Sequence, residues 1–181
     1  MKKIIIAVLL TACTTSAFAE PDDFAMVAGK KVTISDTRKS LIQKFGKPKL
    51  DTATYYSSWE IPNDVSINAT YHSGILENFE VTRIGTKAIN NYIKVGGKTI
   101  YLYKDTINNA LAKVKHACFE LSDGSQVSNY TMQVASHNSG NWYQTALTVI
   151  DAGNIKALRN SKISSFNFGY GVSPLEENCN Y

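Results

Sequence analysis

The side chains best suited to chemistry in this sequence are its three cysteines and three histidines. Cys118 and Cys179 stand about 60 residues apart, and His116, two residues before Cys118, is the one histidine close to either of them. In an oxidising compartment such a pair favours a structural disulfide over a reactive thiol or a metal site. The bridge would contribute roughly 4 kcal/mol on the chain-entropy model. The sequence therefore predicts a Cys118–Cys179 disulfide, with a thiol or metal role as the alternative.

The histidines do not stand in a recognised catalytic pattern. His137 lies in the polar run 136–141 beside a serine, but residues adjacent in sequence rarely form the geometry of a catalytic triad. The run is more typical of a hairpin loop. The sequence also lacks the zinc-protease, nucleophile-elbow, phosphate-loop and dinucleotide-binding motifs. We therefore expect no catalytic residues, no metal site and no cofactor, and hence a protein that is not an enzyme.

The first nineteen residues have the layout of a secretory signal peptide. Lys2 and Lys3 precede an apolar run over 4–10, and Ala17-Phe18-Ala19 offers small residues at the two positions that a leader peptidase reads. The apolar run is too short to span a bilayer as a permanent anchor. The sequence therefore predicts an exported protein, periplasmic or secreted, whose leader is residues 1–19.

A second interpretation of the leader involves Cys13. The run Leu10-Thr11-Ala12-Cys13 resembles a bacterial lipobox, in which Cys13 would be acylated and become the mature N-terminus. Cleavage after Ala19 would instead discard Cys13. A lipid anchor would restrict the protein to partners at the membrane surface, as an outer-membrane lipoprotein. Both interpretations stay open at this point.

Composition indicates an ordinary globular domain of about 160 residues once the leader is removed. The formal charge is +4, and the loss of Lys2 and Lys3 with the leader leaves about +2. So small a net charge does not favour nucleic acid as a partner. A membrane partner is expected only if Cys13 is lipidated.

One unit of sequence is present twice. Asp36-Thr37 is followed by apolar residues at helical spacing over 38–45, and Asp105-Thr106 is followed by the same pattern over 107–114. Asp36 and Asp105 are expected to cap the two helices, because a short carboxylate accepts from the free N–H groups of the first turn. The order of elements favours duplication over chance similarity between two short amphipathic helices.

Strand patterns follow each helix. Apolar and polar residues alternate over 65–71 and 130–135, and each copy ends in a glycine-containing hairpin, over 69–84 and 147–163. Such alternation predicts an antiparallel sheet with one face on the core and one face in water. The segment 85–98, which contains Gly96-Gly97, is expected to connect the copies.

The predicted fold class is therefore α+β, with two tandem helix-plus-antiparallel-sheet units. The expected boundaries are 1–19 for the signal peptide, 20–98 for the first unit with its connector, and 99–181 for the second unit with a tail held by the disulfide.

The helix that ends in Phe45-Gly46-Lys47-Pro48, followed by a strand meander, resembles the small envelope lipoproteins of the SmpA/OmlA (BamE) type. Two such units in tandem resemble the β-lactamase inhibitory protein fold. The resemblance in the order of elements covers most of the mature chain. In the motif that precedes each helix, only Thr37 and Thr106 match the residues of the family. It implies that the open sheet faces form a surface that grips another protein.

Aromatic residues beside the predicted strands are the candidates for binding a partner, because tyrosine and tryptophan are enriched at strong protein interfaces. The alternative is that they belong to the core. The candidates are Tyr55, Tyr56, Trp59, Tyr130, Trp142 and Tyr143.

The polar positions of the predicted strands are mostly neutral and suit a protein partner. We therefore expect a non-catalytic envelope protein that binds another envelope protein, as an inhibitor or an immunity protein. The alternative is an outer-membrane assembly lipoprotein of the SmpA/OmlA type, anchored through Cys13.

Overall fold

Two antiparallel sheets and two short helices make up the fold, in a computed structural model that describes residues 23–114, 117–123, 128–138, 141–151, 158–169 and 179–180. The α+β class expected from the sequence is therefore confirmed. The leader 1–19, with Cys13, lies outside the described residues.

The elements follow one another in an order that is nearly the same in the two halves of the chain. The first half holds β1 (Phe24–Val27), β2 (Lys30–Val32), α1 (Arg38–Phe45), β3 (Leu50–Thr52), β4 (Tyr56–Glu60), β5 (Val65–His72) and β6 (Ile75–Arg83). The second half holds β7 (Tyr92–Val95), β8 (Lys98–Tyr101), α2 (Ile107–Val114), β9 (Ala117–Asp123), β10 (Ser128–Asn138), β11 (Asn141–Asp151), β12 (Ser165–Gly169) and β13 (Cys179–Asn180). Short 3₁₀ helices occupy Thr86–Asn90 and Leu158–Asn160.

Each sheet is assembled from strands of both halves. The small sheet has the order β2-β1-β7-β8, and the large sheet has the order β13-β9-β10-β11-β12-β6-β5-β4-β3. The halves meet at the antiparallel pairs β1·β7 and β6·β12. Because these two central pairs join the halves, neither sheet is complete without both.

The helices occupy the residues that the apolar spacing predicted, but threonines cap them. The Thr37 hydroxyl accepts from the Ser40 N–H, and the Ser40 hydroxyl lies 2.9 Å from the Thr37 nitrogen, which forms a reciprocal capping box. Thr106 and Asn109 repeat this exchange at α2. The expectation that Asp36 and Asp105 are the caps is therefore wrong, since the following threonine is one residue closer to the first turn.

The two aspartates instead bind the far ends of their helices. Lys44 Nζ lies 2.6 Å from one oxygen of Asp36, and Lys113 Nζ lies 2.6 Å from Asp105 Oδ2. Each aspartate also accepts from a backbone N–H just before its helix. The same ion pair, eight residues apart in sequence, therefore links the entry loop and the last turn of both helices.

One cluster of buried apolar side chains joins the inner faces of both sheets and the helices. The small sheet contributes every second residue of its strands, and the large sheet does the same, as alternation requires. The largest fully buried members are Phe79, Phe166, Phe168, Leu41, Ile67, Leu76, Ile93, Ile100, Leu102 and Ile107.

Two local expectations are corrected. The segment 85–98 is not a plain connector, because it contains a 3₁₀ helix and all of β7. A Cβ at Gly85 would lie 2.1 Å from a backbone carbon of Asn63, so only glycine fits at its start. In the second half, the chain at Lys162 and Ile163 does not end a hairpin with β11. It pairs with the loop before α2, and the strand begins at Ser165.

Candidate protein-binding face

The large sheet has a polar face on the side away from the core. Strands β4 and β5 alternate between buried residues and partly exposed or exposed polar residues, and β6 and β12 continue this pattern over Phe79–Thr82 and Phe166–Phe168. Cross-strand pairing puts Ser58, Asn68, Glu80 and Asn167 in one row across these four strands. We call this surface the open face, with the residues Tyr56, Ser58, Ser66, Asn68, Thr70, Asn78, Glu80, Thr82 and Asn167.

Hydrogen bonds hold the centre of the open face in place. The Tyr56 hydroxyl lies 2.8 Å from Asn68 Oδ1, and Asn68 Nδ2 donates to Glu80 Oε2 at 3.0 Å. The three side chains come from β4, β5 and β6. Because Asn68 is bound on both sides, its rotamer is set before any partner arrives, which lowers the entropy cost of binding.

Two acceptors on the same face lack partners. Asn78 Oδ1 and Asn167 Oδ1 are buried from solvent, and neither makes a hydrogen bond. Leaving a buried acceptor without a donor costs about 1–3 kcal/mol. Both atoms are shielded from the surface, so this cost belongs to the folded sheet itself.

Close backbone packing surrounds these acceptors. Asn78 pairs with Gly169, and a Cβ at Gly169 would lie 2.0 Å from the Glu77 carbonyl oxygen. Only glycine therefore allows β12 to approach β6 here, beside the register shift in β5·β6 between Thr70 and Tyr71. The glycine leaves the Asn78 position without a side chain opposite it.

Tyr55 and Tyr56 remain candidates for contact with a partner. Tyr55 is 61% exposed at the turn before β4, and Tyr56 begins β4 with its hydroxyl on the open face. Both lie in or beside β4, the strand at one end of the polar row that crosses the open face. An exposed tyrosine beside an ordered polar surface is typical of a binding residue.

Trp59 belongs to the core, which is the alternative that the sequence left open for these aromatic residues. Its side chain is 3% exposed, its Nε1 donates to the Gly46 carbonyl at 2.9 Å, and its ring packs 5.9 Å from that of Phe45. Tyr56 and Trp59 are an odd number of residues apart in one strand, so they point to opposite faces. Trp59 therefore anchors α1 to the core face.

The other three aromatic candidates lie in β10 and β11. Tyr130 pairs with Val149 and Leu121, Trp142 with His137, and Tyr143 with Ser136. These pairs place the three residues by backbone position alone, and their binding role stays a prediction.

The two cysteines of the predicted disulfide stand opposite each other in the backbone. The register of β13 on β9 pairs Cys179 with Cys118. Directly opposed residues in an antiparallel pair have Cα atoms about 4.5–5.5 Å apart, which is within the range of disulfides. The bridge itself stays a prediction.

A charged cluster that the sequence did not indicate joins α1 to the large sheet. Arg38 binds both oxygens of Asp51, with Nε 3.0 Å from Oδ1, and the Ser57 hydroxyl donates to the same oxygen at 2.8 Å. These donors lower the pKa of Asp51. Burial raises the pKa of nearby Tyr71. Arg38 and Asp51 are 13 residues apart, so no helical or strand periodicity could have paired them.

Comparison with known proteins adds no relative. No protein-family model, no curated protein and no solved structure matches the chain. Within the described ranges, no group of three or more His, Cys, Asp or Glu side chains is placed to hold a metal ion. Of the helices that the structure describes, none has the length and apolar character needed to cross a membrane.

Proposed function

We propose that this chain is a non-catalytic exported protein that binds another protein through the open face, as an inhibitor or an immunity protein. The observation that carries the proposal is the hydrogen-bonded row of Tyr56, Asn68 and Glu80 across the open face. A partner can bind this row without first ordering it, which lowers the entropy cost of association. The exposed Tyr55 ring would pack against the partner at the edge of the open face.

The open face supplies the central part of an interface. Its four strands, at a spacing of about 4.8 Å, span about 19 Å, and a strand of five residues is about 16 Å long. The face therefore offers on the order of 300 Å², and a standard interface of roughly 800 Å² per partner would extend beyond it.

We also propose that the two halves are tandem copies of one unit, as the resemblance to SmpA/OmlA proteins and the inhibitory protein fold implies. Support comes from the common order of two strands, a helix and four strands, from the threonine caps, and from the Asp36–Lys44 and Asp105–Lys113 ion pairs. The proposed boundary lies between β6 and β7 rather than after residue 98, because β7 pairs with β8.

The test uses two matched variants. Thr70 lies on the open face, and Thr86 is an exposed threonine outside both sheets, in the 3₁₀ helix Thr86–Asn90. Thr70→Arg places a long cation on the proposed interface, whereas Thr86→Arg makes the same chemical change elsewhere. Both proteins, and the wild type, serve as bait in an envelope extract.

The expected result is that wild type and Thr86→Arg each recover the same stoichiometric protein and that Thr70→Arg does not. Circular dichroism verifies that both variants are folded. Equal recovery by the two variants, or no partner for a folded wild type, would contradict the proposal.

The lipobox favours a second candidate, an outer-membrane assembly lipoprotein anchored through Cys13. Intact-mass measurement of the mature protein distinguishes the two. An acylated Cys13 at the N-terminus supports the lipoprotein, and an unmodified Glu20 terminus excludes it.

A further inference from the structure

The small sheet carries a second surface, of a different chemistry, on its side away from the core. Ala25, Val27, Ile93, Val95 and Ile100 are buried on the inner side. The alternate positions are partly exposed or exposed, and apart from Met26 and Thr99 they are aromatic or basic. We call them the aromatic–lysine face, defined by the rings of Phe24, Tyr92 and Tyr101 and by Lys31, Lys94 and Lys104.

The three rings form a continuous row. The centroids of Phe24 and Tyr92 are 6.2 Å apart with the rings edge to face, and those of Tyr92 and Tyr101 are 5.2 Å apart. Cross-strand pairing fixes this order, since Tyr92 stands opposite Tyr101 and Phe24 opposite Lys94. The row is therefore a feature of the sheet register and not of a mobile loop.

Lysine ammonium groups lie over these rings. Lys31 Nζ is 4.6 Å from the Phe24 centroid, Lys94 Nζ is 5.8 Å from the same ring, and Lys104 Nζ is 4.8 Å from the Tyr101 centroid. Contacts of this kind occur about once per 70–80 residues in proteins. Their concentration here holds several positive charges at defined positions.

The positive charge of the chain is gathered on this sheet. Residues 23–33 and 92–104 contain five lysines and one acidic residue, a net charge of +4, which equals the formal charge of the whole sequence. This count includes Asp23, which accepts from the Gly96 N–H at 2.7 Å, so the net charge of +4 already allows for that carboxylate.

We propose that the aromatic–lysine face binds an acidic segment of a partner protein. Charge complementarity requires an anion, and the tyrosine hydroxyls add donors for carboxylates. A single-stranded nucleic acid would need open ring faces on which to stack its bases. Here the ammonium groups already lie over Phe24 and Tyr101, so the rings position the lysines for carboxylates instead.

Fluorescence anisotropy with two labelled probes tests the proposal at about 50 mM salt, where screening is weak. One probe is a polyglutamate peptide, and the other is an oligothymidylate of equal charge. The test variant is Lys31→Gln/Lys104→Gln. The matched control, Lys39→Gln/Lys47→Gln, removes two exposed lysines that lie outside the small sheet.

We expect the polyglutamate peptide to bind wild type and control alike, and to bind the test variant about tenfold more weakly, since each exposed ion pair is worth up to roughly a fivefold factor. Phe24→Leu, which keeps apolar bulk but removes the ring, is expected to weaken binding by a smaller factor. Three outcomes would overturn the proposal: no binding of polyglutamate, equal weakening in test and control variants, or tighter binding of oligothymidylate.

Discussion

Replacing Phe168 by alanine tests whether the two halves of the chain share one core. Phe168 belongs to β12 and is 2% exposed, and its ring lies 5.4 Å from that of the fully buried Phe79 in β6. These strands form the central pair of the large sheet. Removing a buried phenylalanine ring costs about 3–5 kcal/mol, through lost transfer free energy and the cavity that remains. We expect a loss in that range.

Urea unfolding measures this loss. Trp59 reports on the transition, because its ring packs on Phe45, which in turn stacks on Phe79. With a slope of about 2 kcal/mol per molar urea, the midpoint should fall by about 2 M. Far-ultraviolet circular dichroism should give the same midpoint, since both halves contribute strands to the large sheet.

Phe24→Ala is the control, because it deletes the same ring from the partly exposed side of the small sheet. It should cost only about 1 kcal/mol, as is usual for substitutions outside the core. If Phe168→Ala cost no more than this control, the reasoning would be refuted, because the ring could not then be part of a core common to both halves.

Three further predictions concern single residues. The Arg38 guanidinium lowers the pKa of Asp51, so this carboxylate stabilises the fold above the unfolded pKa of about 3.9 and loses that effect as pH falls through the lower folded pKa. Asp51→Asn should therefore flatten the decline in unfolding free energy measured below pH 4, and an unchanged decline would contradict it. Trp59→Phe should cost about 1–2 kcal/mol in urea unfolding, because the Gly46 carbonyl loses its donor; no measurable cost would mean that water replaces it. Cys179→Ser should lower stability by about 2–4 kcal/mol, and thiol titration of the unfolded, unreduced protein should find no free thiol at Cys118 or Cys179; two titratable thiols would exclude the bridge.

Local periodicity was sufficient to predict the helices and one hairpin. The apolar spacing over 38–45 and 107–114 matches α1 and α2, and the alternation over 65–71 matches β5, because these signals arise within a single element. The caps were misassigned by one residue. Aspartate and threonine are both good cap residues, and only the backbone geometry of Thr37 decides between them.

The small sheet could not be foreseen from the sequence in the same way. Its strands are three or four residues long, and Lys30 and Lys31 interrupt any apolar pattern in β2. Such short strands are stable only because β1 pairs with β7, some 65 residues later in the chain. A pairing of that kind depends on tertiary structure and leaves no periodic signal in either segment.

The burial of Trp59 could not be predicted from the sequence for a related reason. Alternation shows that Tyr56 and Trp59 point to opposite faces of β4, but it does not show which face is covered. That choice depends on where α1 packs, and α1 is placed by the contact of Phe45 with Trp59 itself and by the Arg38–Asp51 pair. The identity of the exposed tyrosine therefore follows from the position of the helix.

The two outer surfaces differ in charge, and the net charge of the whole chain does not show this difference. The open face joins neutral side chains such as Asn68 and Asn78 around one carboxylate, Glu80, while the lysines gather on the other side of the core. The net charge of the whole chain averages over both surfaces, whereas a bound partner contacts one surface at a time. With the core between them, the two surfaces are too far apart to share a side chain, so substitutions on one face should act independently of those on the other. The two proposed binding surfaces can therefore be tested separately.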